Sequence, residues 1–495
     1  MRLSIVSLLS VFMTMSFSSG ADVVLNNLYT DNMVFQRDMP IVVRGVADAN
    51  EMITVSMDGD STSVATGSDG EWRALLNKRS AATGLTLKVS GSTHTVELKN
   101  VAVGDVWLCG GQSNMDTRVV YYHTQFPDIV TTASFDAVNP DLRLFVVKHC
   151  NAEQPQDEIK KNDDKFGGDW RTSDKDANYE FSALGYYFGK NLQPEVGVPI
   201  GLIYSAVGGS MLRAWTPREI MSDSSLLRPF LDMVNDKTPN PHQPSLFYNG
   251  MIAPLHKFPI KGVVWYQGET DAGFTDYGKT HYSDLFATMI STWRARWHQP
   301  DMPFVYVVLA GFMDAKEGPD NPPYSTLRDE QIKTLTKVKN VAAISAMDLG
   351  QEKNIHPPFK IPLGERMSSA VLNLVYGRKD AHGSGPIVKS AKLSKDKQSI
   401  LLTFDNVGSS LQSTTVTLDK HIMSGDDLSG FEVCGSDGMF VTAKAKIKGK
   451  DKVELSFHRY VTDPKIVRYG WANFPLCNLY SAEGLPALPF RQGVE

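Results

Sequence analysis

The hydrophobic period of this chain changes twice, and those two changes constrain its fold more than any other feature. Over 22–103 short apolar segments such as Ile41-Val42-Val43, Ile53-Thr54-Val55 and Leu85-Thr86-Leu87-Lys88-Val89 are separated by turn clusters such as Asp58-Gly59-Asp60 and Gly67-Ser68-Asp69-Gly70. Short strands closed by glycine and aspartate predict a small β-sandwich there. From residue 104 the strands become apolar throughout, at 106–109, 202–207, 262–266, 304–309 and 341–347, and long stretches of helical period separate them. Tyr282, Leu285, Met289, Trp293 and Trp297 recur at spacings of three and four, as do Phe181, Leu184, Phe188 and Leu192. Such alternation is the mark of βαβ units around a mostly parallel sheet, and it predicts an α/β domain over 104–383. After Tyr376-Gly377 short strands return, so 384–495 reads as a second β-rich region.

Ligands of an open parallel sheet bind outside the carboxyl ends of its strands, where the loops converge. The segments following four of these strands are Gly110-Gly111-Gln112-Ser113-Asn114-Met115, Gly208-Gly209-Ser210, Gln267-Gly268-Glu269-Thr270-Asp271, and Asp348-Leu349-Gly350 leading to Asn354-Ile355-His356-Pro357. Together they hold the parts that acyl transfer requires: a hydroxyl nucleophile, an imidazole base, a carboxylate and donors for an oxyanion. Any one of them alone is an ordinary turn, and sugar or nucleotide binding would use the same loops. The G-x-S-x-G elbow of α/β-hydrolases is excluded, because Ser113 is followed by Asn114-Met115 and no other serine fits.

Several function classes fall away on composition. The formal net charge is −5, with 50 basic and 55 acidic residues in no long run of either sign, which leaves no footprint for nucleic acid or an anionic membrane. Neither C-x-x-C nor H-E-x-x-H occurs, so no metal site and no cofactor is expected. Arg2, the apolar run 3–17 and the small residues Ser18, Ser19, Gly20 and Ala21 give 1–21 the layout of a secretory signal peptide. With no second long apolar stretch, the mature chain is expected to lack a membrane span and to reach an extracellular, lysosomal or periplasmic destination. In such a compartment Cys434 and Cys477, both in the C-terminal β region, are the expected disulfide among the four cysteines. The sequence gives no reading of oligomeric state.

Ordered motifs then extend over nearly the whole chain. They are Gly104-Asp105-Val106-Trp107-Leu108-Cys109 with Gly111-Gln112-Ser113-Asn114-Met115, Pro199-Ile200-Gly201-Leu202-Ile203 with Gly208-Gly209-Ser210 and Ala214-Trp215, and Tyr248-Asn249-Gly250-Met251-Ile252-Ala253-Pro254-Leu255. Lys261-Gly262-Val263-Val264-Trp265-Tyr266-Gln267-Gly268-Glu269, Asp348-Leu349-Gly350, Ile355-His356-Pro357 and Gly484-Leu485-Pro486-Ala487 follow. By these segments the sequence resembles the sialate O-acetylesterase family of the SGNH hydrolase superfamily.

The resemblance implies a flavodoxin-like core of three layers, metal-free ester hydrolysis and an O-acetylated carbohydrate substrate, sialic acid or another glycan. Carried over by position, Ser113 is the nucleophile, His356 the base, and Gly209 and Gln267 the oxyanion donors. Many SGNH enzymes keep an aspartate two or three residues before the histidine, but here those positions are Asn354 and Lys353. Asp348 and Glu269 are the remaining carboxylates, and the sequence does not choose between them. Arg213, Trp215 and Asn249 are candidates for the sugar pocket. The motifs build an acetyl-ester site rather than a sugar site, so acetylated xylan is an alternative substrate and a noncatalytic carbohydrate-binding protein an alternative class.

Overall fold

The computed structural model describes residues 22–161, 167–235, 237–315, 322–458 and 461–495. The expected leader, 1–21, lies outside them. Six parallel strands form the centre: β1 (Thr95–Gly111), β2 (Asn139–Val146), β3 (Ile200–Ala206), β4 (Gly262–Tyr266), β5 (Phe304–Val308) and β6 (Val341–Ser345). Their order is β2-β3-β1-β4-β5-β6, with Arg171–Ser173 antiparallel on the outer edge of β2. Every residue of β3, β4 and β5 is buried, as a strand covered on both faces requires. The strand β2 was not among those expected, because Pro140, Asp141 and Arg143 interrupt its apolar run.

Four long helices cover the sheet: α1 (Ala183–Val196), α2 (Tyr282–Arg296), α3 (Pro323–Lys337) and α4 (Lys360–Tyr376). α1 packs on α4, and α2 on α3. Trp107 of β1 meets Phe188 of α1 edge-on at 5.7 Å, whereas Trp265 of β4, paired with Gly110, meets Trp293 of α2 at 5.7 Å. Positions 107 and 110 point to opposite sides of a pleated strand, so the two helix pairs cover opposite faces. Each fully buried aromatic here contributes about 2–3 kcal/mol of transfer free energy.

β1 runs on from the N-terminal strands, pairing with Ala82–Ser90 and Val34–Gln36 before it enters the central sheet. The expected boundary at 103/104 therefore falls inside one continuous strand, and the N-terminal strands share a hydrophobic core with the α/β unit. Beyond residue 384 lie two four-stranded antiparallel sheets, one of Ile387–Leu393, Ser399–Asp405, Lys452–Ser456 and Lys444–Lys448, the other of Phe440–Thr442, Phe431–Cys434, Ile466–Tyr469 and Phe490–Gly493. They enclose a core of their own. Fully buried Arg328 of α3 ties the two units together, donating to the carbonyls of Leu309 and Ala310 on one side and of Ala472 and Asn473 on the other.

The expected disulfide is not formed, and all four cysteines are free thiols. The Cys477 sulfur packs against Gly430. Four extended residues, about 13 Å of strand, separate Gly430 from Cys434, whereas a bridge needs Cα atoms within about 7 Å. Among the described residues no helix is long and apolar enough to cross a membrane.

Candidate active site

Parallel register places Gly111, Ala206 and Tyr266 side by side, so the loops that follow β1, β3 and β4 leave one sheet edge together. Gly111 sits at φ 140, and a Cβ there would lie 2.0 Å from the carbonyl oxygen of Tyr266. Only glycine passes so close to the neighbouring strand. The Gln112 Oε1 then accepts the backbone N–H of Gly268 at 3.1 Å and of Thr270 at 3.3 Å, lacing the first loop to the third. Half-buried Ser113 opens the one-turn helix Ser113–Asp116.

As the first residue of a helix Ser113 has no intrahelical acceptor for its N–H, and no other group takes that hydrogen among the described residues. Gly209 offers a second free N–H: it lies at φ 72, with open space where a Cβ would stand. The preceding Gly208 is pressed against the serine, since a Cβ on it would be 3.7 Å from the Ser113 Cβ and 3.4 Å from Asp116 Oδ2. Its N–H donates to Asp116 Oδ2 at 2.9 Å, and the Tyr204 hydroxyl donates to Asp116 Oδ1. Asp116 thus fixes the glycine turn beside Ser113.

His356 reaches the same place through its neighbours. The Asn114 Nδ2 donates to the Ile355 carbonyl at 3.0 Å, and the Lys360 ammonium donates to Asn114 Oδ1 at 2.7 Å and to the Pro357 carbonyl at 2.8 Å. The residue after the serine is therefore bonded to the residue before the histidine. Burial lowers the pKa of His356 below its ordinary 6.5 and the Lys360 charge lowers it further, while Asp116 pulls it back up. The ring and the Ser113 hydroxyl share no direct hydrogen bond, a distance that active sites commonly close only on substrate. Asn354 accepts the backbone N–H of His356 at 2.9 Å and makes no bond to its ring.

Several expected roles do not match where the side chains stand. Asp348 is bidentate to Arg366 at 2.7 and 2.6 Å and accepts from the Tyr480 hydroxyl at 3.1 Å, so its oxygens are committed away from His356. Glu269 lies beneath Asn114, which donates to it at 2.5 Å, and burial raises its carboxyl to about 7. Neither carboxylate hydrogen-bonds His356. Gln267 has no hydrogen left for an oxyanion: its buried Nε2 faces the Ser210 carbonyl at 3.0 Å, Asp271 at 2.5 Å and Gln112 Oε1 at 3.1 Å. Arg213 and Trp215 have 0% exposure and offer a sugar no surface. Arg213 donates to the carbonyls of His242 and Phe230, Trp215 to the Ser210 hydroxyl, and Asn249 braces the carbonyls of Ala152 and Glu153.

Sequence reasoning missed Asp116, Asn114 and Lys360. Their signal was helical spacing, since Asp116 stands three residues after Ser113 and Lys360 four after His356. A cavity of about 560 Å³ adjoins the histidine loop, lined by Tyr121, Phe126, Gln351, Lys353, Asn354 and Lys420. A larger one, about 1300 Å³, lies between the N-terminal strands and α2 and shares no residue with the Ser113 site, so size does not mark the chemistry.

Residues 103–373 match the family model described as carbohydrate esterase, sialic acid-specific acetylesterase. The chain belongs to this family. It is an esterase, and its relatives bear on both ends of that statement. Mouse sialate O-acetylesterase is 26% identical over 446 residues, covering 80% of this chain and 78% of the relative, and the human protein is 27% identical over 419 residues, covering 80% and 76%. The crystal structure of a carbohydrate acetylesterase from Xanthomonas citri is 35% identical, with a TM-score of 0.83 over 95% of the esterase and 99% of that chain. Over 95% of its length the esterase therefore shares the mixed α/β architecture of that carbohydrate acetylesterase.

Proposed function

We propose that this esterase removes acetyl groups from sugar hydroxyls, O-acetylated sialic acids foremost, by way of an acetyl-enzyme. The observation that carries the reading is the meeting of Ser113, two unpaired N–H groups and the His356 loop at one sheet edge. His356 takes the hydroxyl proton as Ser113 Oγ bonds to the acetyl carbonyl carbon. The carbonyl oxygen becomes an oxyanion facing the N–H groups of Ser113 and Gly209, each worth about 3 kcal/mol to such a transition state. As the C–O bond to the sugar breaks, His356 returns the proton to the departing sugar oxygen. Water then attacks the acetyl-serine, giving its proton to His356, and acetate leaves as Ser113 recovers its own.

Asp116 supplies the negative charge that favours the imidazolium formed between these steps, a role for which neither Asp348 nor Glu269 is placed. With β2 set aside, the strand order is the 2-1-3-4-5 of flavodoxin-like sheets, which supports that fold, and its topological switch point falls between β1 and β4, whose following loops carry Ser113 and Glu269. We take 22–103 and 384–495 as the flanking β regions, and the secretory route as the destination. The test is acetate release from O-acetylated sialic acid and from acetylated xylan by the wild-type chain and Ser113→Ala. Preference for the sialic acid and loss of about 10³-fold or more in the variant are expected. Wild-type turnover by the alanine variant ends the mechanism, and preference for xylan ends the substrate assignment.

A further inference from the structure

Three side chains at the site take no step in this chemistry, yet they are among its most deeply buried polar groups. Lys360 and Asn114 are each 1% exposed and Glu269 5%. An ammonium so placed is costly unless it is well bonded. Lys360 has its two oxygen acceptors, Asn114 Oδ1 and the Pro357 carbonyl, and the rings of Tyr122 and Tyr266 face it at 5.1 and 5.7 Å from their centroids. Asn114 in turn divides its amide between the Ile355 carbonyl and Glu269. The carbonyls of Ile355 and Pro357 are the two that flank His356. The base is thus gripped on both sides, once by the residue that follows the nucleophile and once by a lysine that the same residue holds.

We propose that Lys360, with Asn114 and Glu269, is the positioning device of this active site, setting the distance and angle at which His356 meets Ser113. The inference rests on the reading of Ser113 and His356 as nucleophile and base. The charged and titratable groups beside Lys360 are Glu269 after β4, Tyr122 and Tyr266 on its flanks and His356 in its own loop, while Asp271 acts on Glu269 and Asp116 on His356. Burial takes the Lys360 pKa down to about 7, while Glu269 opposes the fall. The Lys360 charge disfavours the imidazolium.

The experiment uses the full chain, 4-nitrophenyl acetate as substrate and Ser113→Ala as control. Lys360→Met, folded by circular dichroism, is expected to lose about 100-fold in kcat, because a displacement near 1 Å costs that much. KM should stay within about threefold, since an interaction made only in the transition state leaves it unchanged. The acid limb of kcat/KM should move to higher pH, because removing a neighbouring positive charge makes His356 easier to protonate. A lysine that serves stability alone would leave kcat of the folded variant unchanged, so the kcat loss at constant KM separates positioning from support. A folded Lys360→Met with kcat within about threefold of wild type overturns the proposal. Should that variant not fold, Asn114→Ser removes the grip on Ile355 and keeps Lys360. A kcat loss of about tenfold or more at constant KM supports the device, and unchanged kcat overturns it. Turnover by Ser113→Ala at the wild-type rate sinks the underlying reading instead, and so separates the two failures.

Discussion

Replacing Asp348 by asparagine separates a catalytic carboxylate from a structural one. The Asp348 and Arg366 side chains are 10% and 12% exposed, and their two short hydrogen bonds are joined by a third from Tyr480 of the C-terminal region. Removing one member of a buried ion pair costs about 3–5 kcal/mol, because the other charge is left in low dielectric. Asparagine keeps one acceptor oxygen, and Arg366 keeps its bond to the Ser345 carbonyl at 2.9 Å. The lower end, about 3 kcal/mol, is therefore expected, a large part of a typical total of about 5–15 kcal/mol. Urea unfolding of Asp348→Asn should show that loss at unchanged slope. Acetate release by the folded variant should stay within about threefold of wild type, since Asp348 does not bond His356. A triad carboxylate behaves otherwise, with asparagine costing about 10⁴ in kcat. A loss of that size at wild-type stability would refute the assignment of Asp348 to the domain junction.

Three further outcomes follow from the same structure. The acid limb of kcat/KM should fall below pH 6.5, because His356 as the proposed base acts when neutral and its pKa is lowered, and Asp116→Asn should move the limb lower still by removing the one influence that raises it; a shift upward in a pH–rate profile contradicts the proposed role of Asp116. Buried Asp105 accepts hydrogen bonds from Arg37 at 2.9 and 2.8 Å, Gln36 at 3.0 Å and Tyr376 at 2.7 Å. Burial alone would raise its pKa, but Arg37, Lys261 and Tyr376 hold it below 3.8. Its stabilisation is thus present above the unfolded-state value and is lost as pH falls through the folded one. Asp105→Ala should cost about 3–5 kcal/mol at pH 7 and less below about pH 4 in urea titrations, and an equal cost at both pH values would contradict this. Finally, a reductant should leave the thermal midpoint unchanged, as the cysteines are free thiols; a drop of several degrees in calorimetry would mean that a disulfide exists after all.

Much of the architecture was legible because apolar period is a local property. The runs at 106–109, 202–207, 262–266 and 304–309 lie within strands or overlap them closely, and the spacing of Tyr282 to Trp293 lies within α2. Less legible was β2, whose charged residues find partners only after folding: Arg143 donates to the carbonyls of Pro140, Asn32 and Asn100. Likewise Arg213, Trp215 and Gln267 carry chemistry suited to a pocket, and only their neighbours show that it is spent inside the core.

Residue type and local spacing by themselves determined the α/β class, the serine and histidine loops and the glycines at their edges, because backbone conformation and hydrophobic period are written over a few consecutive residues. Which carboxylate's charge acts on His356 was decided by tertiary structure alone. Asp116, Asp348 and Glu269 are the same chemistry in sequence, and what separates them is where each sheet-edge loop comes to rest: beside Gly208, against Arg366, or beneath Asn114. Electrostatic influence depends on distance and burial, and distances between residues some 240 positions apart exist only once the chain has folded.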